Sequence, residues 1–177
     1  MTAKMIFTAA ALFASSAAVP AAAQATEAMG PDGTACASGD GPAIKVNISG
    51  LKDRSGRLKL ELYPATEADF LKDDTKLKAE GKTFRRIWAT MPASGAVSLC
   101  IRAPAPGKYA LLFTHDRDGK NKFNFWKDGA GFPRNDKLGR SRPDLDQALI
   151  AVGPGVTTAN ITAQYLRGLG GFSPLGS

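Results

Sequence analysis

Alternation of apolar and polar positions runs through most of the chain after residue 43. In AIKVNISG, Ile44, Val46 and Ile48 share one side, with Lys45 and Asn47 opposite. GRLKLELY repeats the pattern, with Leu58, Leu60 and Leu62 against Lys59 and Glu61. Side chains two apart lie on one face of a strand, so each stretch predicts a half-buried β-strand. The polar LKDRSG between them predicts a turn and a hairpin joining the two. Three more strands follow in KTFRRIWATM, AVSLCIRA and GKYALLFT, separated by PASG and PAPG. GKYALLFT is apolar on both sides, which predicts a central strand. In KTFRRIWATM, Phe84, Arg86 and Trp88 fall on one side and Arg85 and Ile87 on the other, so its phase is open. QALIAV and VTTANITAQYL predict a last pair around Gly153-Pro154-Gly155.

Helical signals are few. Thr66-Glu-Ala-Asp69, followed by Phe70 and Leu71, has the form of a capping box and predicts one or two turns before Asp73-Asp74. Asp144 to Ala148 predicts another short turn. About seven short strands with Pro/Gly turns predict an all-β fold, a single β-sandwich with a short helix and one long loop. That loop runs from about Thr114 to Leu145 without strand patterning. Loops of such length in compact domains carry function or disorder, and Phe123, Phe125, Trp126 and Phe132 predict that this one packs.

The first 23 residues change the picture of where the protein works. A short positive start at Lys4, an apolar stretch from Met5 to Val19 and Ala21-Ala22-Ala23 read as a cleaved secretory signal. The expected organisation is residues 1–23 as signal peptide, 24–42 as a leader, 43–166 as the sandwich and 167–177 as a flexible tail. The expected location is secreted or periplasmic, with no membrane-spanning segment after cleavage. Two cysteines, Cys36 and Cys100, then predict a disulfide. Cys100 falls on the side of its strand opposite Val97, Leu99 and Ile101, so the bond would pin the leader to the outside of a sheet. A thiol nucleophile is the rival reading, and it would need His115, the chain's single histidine, as its base.

The net charge is +7, or +6 once Lys4 is removed. A basic exported protein tends to meet anionic surfaces, whereas nucleic acid is not expected outside the cell. Eight basic residues lie between Arg117 and Arg142 with aromatic residues among them. Trp126 beside Lys127, with Arg134 further on, could stack on and neutralise an anionic envelope component. In DRDGKN, Asp116 and Asp118 offer alternate oxygens to a hard cation such as calcium. Lys120 stands where a third ligand would be expected and Lys127 where an acidic twelfth position would be. The same two aspartates can equally cap backbone N–H groups in an Asx turn. Asp116, Asp118, Asp128 and Asp136 also bear on hydrolysis by paired carboxylates, with His115 as the base of such an enzyme. No G-x-S-x-G, H-E-x-x-H or phosphate-cradling glycine loop is present. One histidine is too few for an ordinary zinc or iron site.

GKYALLFTHDRDGKN, then GAGFPRN, then RPDLDQAL resemble a bacterial exported family known as domain of unknown function 2141. Tyr109, Phe113, His115, Asp116, Gly129, Gly131, Phe132 and Asn135 fall on its signature positions, and Asp118 replaces an asparagine there. Lys120, Asn121 and Asn124 depart from its usual asparagine, glycine and aspartate, and Pro133 and Arg134 depart from it between Phe132 and Asn135. The resemblance covers about Ile44 to Leu166. It implies a transthyretin-like or immunoglobulin-like sandwich and no established reaction. The expected role is thus a non-enzymatic binding or accessory module at the envelope, with no catalytic residues and no obligatory cofactor. The alternatives are a cation-binding domain using Asp116 and Asp118, and an enzyme using His115. His115, Asp116, Asp118, Trp126, Lys127 and Arg134 are the candidate ligand-binding residues.

Overall fold

A computed structural model describes residues 27–134 and 136–176. The signal-peptide expectation and Asn135 fall outside the described residues. Among the described residues, ten strands form two sheets. They are β1 (Ala43–Ser49), β2 (Arg57–Pro64), β3 (Arg85–Thr90), β4 (Val97–Arg102), β5 (Gly107–Asp116), β6 (Gly129–Gly131), β7 (Leu149–Val152), β8 (Val156–Thr162), β9 (Gln164–Leu166) and β10 (Phe172–Pro174). The smaller sheet has the order β4-β1-β8. The larger runs β10-β9-β6-β5-β2-β3, and β7 pairs with the first half of β5 on the edge that β6 takes further along. The apolar sides of the two sheets meet in one core, with Ile44, Val46, Leu99, Ile101 and Ile161 facing Leu58, Leu60, Leu62, Leu111 and Phe113. The chain is all-β and sandwich-like, as its alternation predicts.

Two expected hairpins do not form. β1 pairs with β4 and, in parallel, with β8, while β2 pairs with β3 and β5. Likewise β7 lies in the larger sheet and β8 in the smaller. In each case two successive strands carry one apolar face apiece, and they bury those faces across the core from each other rather than side by side. A turn of a few polar residues serves a crossing between sheets as well as a hairpin, so the turn signal cannot choose.

The outer face of the larger sheet is not left to solvent. Lys59 and Glu61, the polar side of β2, are 8% and 3% exposed. A second apolar cluster of Tyr63, Phe70, Leu77, Ala110, Phe132, Leu145 and Ala148 covers that face. It is built by the segment between β2 and β3 and by the long connection after β5. The first of these holds a short helix, α2 (Asp74–Ala79), which begins after the Thr66 segment and not at it. Asp73 caps it by accepting from the Thr75 and Lys76 N–H groups. Thr66 to Leu71 is instead a turn, in which Thr66 Oγ1 donates to Asp69 at 2.7 Å. The Asp144 segment does form a short helix, α3 (Leu145–Ala148), as expected.

The leader is fastened as predicted. A short helix, α1 (Gly33–Ser38), carries Cys36, and a disulfide joins it to Cys100 of β4. Met29 exchanges backbone hydrogen bonds with Ser98 and Cys100, so the leader also lines the edge of β4. At the other end, the stretch expected to be a loose tail carries β10, whose Phe172 is 4% exposed. No helix among the described residues is long and apolar enough to cross a membrane.

Candidate functional site

The end of β5 sends neighbouring residues to opposite faces. His115 follows Leu111 and Phe113 toward the interior and is fully buried. Its Nε2 lies 2.8 Å from the Ser55 carbonyl, so that nitrogen carries the proton and donates. Nδ1 must then accept, and the Tyr165 hydroxyl lies 2.7 Å away to donate to it. The Tyr165 oxygen accepts in turn from the Lys52 N–H at 3.0 Å. The neutral ring thus ties β9 to the β1–β2 crossing. Burial lowers the pKa of His115, and burial pushes Tyr165 up to about 12. Gly129 makes the room: a Cβ there would stand 2.5 Å from the Tyr165 ring. Gly131 does the same against Ile161, also at 2.5 Å. Close approach to these side chains is the physical content of the G-x-G.

Asp116 follows Leu112 and Thr114 to the outer face, where it is 2% exposed. Its Oδ2 accepts from Arg57 Nε at 3.0 Å and from the Asn121 N–H at 3.2 Å. Its Oδ1 is buried with no hydrogen-bond partner among the described residues. Asp118 accepts from the Lys120 N–H through Oδ1 and from Asn124 Nδ2 through Oδ2. The Asn124 amide bond lowers the pKa of Asp118. Asp128, 1% exposed, accepts from the Arg117 N–H at 2.9 Å and the Asn124 N–H at 2.8 Å. One carboxylate oxygen from each of Asp116, Asp118 and Asp128 lies within 4.8 Å of the others.

This grouping revises what the spacing implied. Lys120 is exposed, and no ligand is needed from it. Asn121, standing where glycine is usual, adopts φ +61° and makes the left-handed turn itself. The acidic partner sits one position beyond Lys127, at Asp128, where a twelve-residue loop template does not look. The aspartates make the Asx-type backbone contacts expected of them and also converge. A hard cation binds oxygens at roughly 2.3–2.6 Å, so oxygens separated by up to about 5 Å fit one ion. Loop carbonyls and water would complete its shell.

The other candidate residues stand apart from this cluster. His115 faces the interior, away from the carboxylates. Arg134 spends its charge on Asp146 at 2.6 Å and Asp136 at 3.3 Å. Arg117 is bound to Asp53, whose carboxyl it holds well below the usual range. Arg142 donates to the Phe70 carbonyl. Trp126 is 83% exposed, and Lys120, Lys122 and Lys127, near it in sequence, are exposed too. On the outer face of β3, Arg86 pairs with Glu61 and Trp88 lies under Arg57 at 4.0 Å, which settles the phase left open above.

No curated protein and no solved structure matches this chain. The family model described as uncharacterized protein conserved in bacteria (DUF2141) matches residues 46–160, a span that includes the aspartate cluster, His115 and both glycines of β6, and the chain belongs to that family.

Proposed function

We propose that the protein is a divalent-cation-binding β-sandwich domain, with Asp116, Asp118 and Asp128 as ligands and calcium as the ion. The observation that carries this reading is Asp116 Oδ1, a buried oxygen without a hydrogen-bond partner among the described residues, on a carboxylate that converges with those of Asp118 and Asp128. An unsatisfied buried oxygen of this kind costs about 1–3 kcal/mol, more when charged. A bound cation removes that cost. Calcium suits the donor set because it takes six to eight oxygens in a flexible shell, whereas magnesium demands near-ideal octahedral geometry. The Cys36–Cys100 disulfide supports an oxidising compartment for the domain. Export by the segment 1–23 completes the proposal.

The test is a thermal melt of the mature chain in EDTA and in millimolar calcium, magnesium or manganese. A ligand present at a hundred times its Kd adds about 2.7 kcal/mol. That moves the midpoint by several degrees in a domain of this size. The calcium-dependent rise should vanish in Asp118→Asn and Asp128→Asn, whatever their melting points in EDTA. No rise with any of the three ions would end this reading.

A second reading, contact with an anionic envelope component, rests on Trp126 and its exposed lysines. Vesicles rich in anionic lipid should retain the protein at low salt and release it at high salt. Trp126→Ala should weaken the retention. Retention that ignores both salt and the substitution would count against it.

A further inference from the structure

A cavity on the outer face of the larger sheet is used by none of these readings. Its main lobe is half open to solvent, has a volume of about 260 Å³ and is lined by Leu71, Leu112, Phe123, Phe125 and Phe132, with Lys59 and Glu61 from β2 also in the lining. A smaller lobe of about 80 Å³ continues toward Leu138 and Phe172 and shares Phe123 and Phe125. Three features set it apart from a packing gap. Phe123 and Phe125 remain 38% and 53% exposed although rings of Phe172 and of each other are within reach. Leu71, in its wall, holds φ +59°, a conformation that costs a branched side chain energy. Lys59, only 8% exposed, meets one carboxylate oxygen, Glu61 Oε2 at 3.1 Å, and lies 5.4 Å from the Trp88 ring.

An ammonium has three donors. Glu61 is already shared with Arg86, whose Nε donates to its Oε1 at 2.7 Å. Arg86 also meets Asp74 at 3.5 Å, so the charges at this end balance and the surplus there is in the donors of Lys59, while most of the remaining lining is aliphatic and aromatic. We infer that the cavity is a binding site for a small monoanionic amphiphile, with its carboxylate on Lys59 and its apolar body against Leu112, Phe123, Phe125 and Phe132. Ligand pockets commonly span roughly 300–1,000 Å³. The two lobes lie at the low end of that range, which suits a free medium-chain carboxylic acid and excludes a two-chain lipid. The Phe123–Phe125 wall belongs to the segment that Asp118 and Asp128 hold through Asn124. The site does not require the cation reading to be true.

Titration calorimetry of the mature chain with decanoate and with decanol, each in EDTA and in calcium, tests it. Decanoate should bind one to one in at least one of the two buffers, about tenfold or more tighter than decanol, as one charge-assisted contact allows. Lys59→Met should erase that preference, and Phe125→Ala should weaken both ligands. Phe125 lies at the rim, so that variant keeps the fold, which circular dichroism verifies for both. No decanoate binding in either buffer would overturn the inference. So would decanol binding as tightly as decanoate, or affinities indifferent to both substitutions. A calcium-dependent melting shift without decanoate binding would retain the cation site and remove this one.

Discussion

At the residue scale the buried histidine makes the firmest prediction. An imidazole ordinarily titrates near 6.5, and burial depresses the value for His115. The unfolded chain therefore takes up a proton below pH 6.5 that the folded ring refuses. Its contribution to stability is complete above pH 6.5 and is lost as pH falls from there through the folded value. The chain has one histidine, and carboxylates titrate lower, so the window between about pH 5 and 6.5 belongs to it. Urea midpoints should fall across that window in the wild type and stay level in His115→Gln. A level wild-type profile would contradict the assigned tautomer and burial. The sequence placed His115 at the end of a strand beside a long loop, and that was legible. Its partners were not, because Ser55 and Tyr165 lie 60 and 50 positions away and become neighbours only when the sheets close.

At the element scale the loop from Arg117 to Asp128 decides the calcium melt. Its backbone N–H groups at Arg117, Lys120, Asn121 and Asn124 all end on the three aspartates. Substituting Asp118 or Asp128 should thus act on this loop and leave the β2–β5 ladder paired. Two of the three carboxylates were visible from their spacing. Asp128 was not, because the loop reaches it through Phe123–Lys127, an excursion that no fixed-length template contains. Strand β6 was missed for a related reason: Gly-Ala-Gly has no apolar alternation to announce it. Strand β2 shows the opposite case. Its alternation was read correctly, yet its polar side is buried, because coverage by the second apolar cluster depends on distant segments.

At the scale of the whole molecule, a basic, alternating chain with two cysteines was enough to state an all-β sandwich with its leader bonded to a strand. Sheet membership was out of reach, since turns report where strands end and not which strand they meet. The disulfide spans a separation of 64 residues. By loop entropy it contributes about 4 kcal/mol, equivalent to a shift on the order of 10 °C. Melting under a strong reductant, or of the Cys36→Ser/Cys100→Ala double variant, should show a drop of that order. A drop of less than about a degree would mean that the leader's backbone bonds to β4 hold it unaided.

The parallel pairing of β1 with β8 has a consequence for synthesis. Ile44 lies opposite Thr157 and Ile48 opposite Ile161, partners more than a hundred residues apart along the chain. Contacts so distant in sequence form slowly. On the ribosome β1 emerges more than a hundred residues before β8, which covers its second edge. During that interval the nascent protein presents a strand with one apolar side and one uncovered edge, a form that a holding chaperone captures. Completion of the smaller sheet thus waits until residues 156–162 are available to pair.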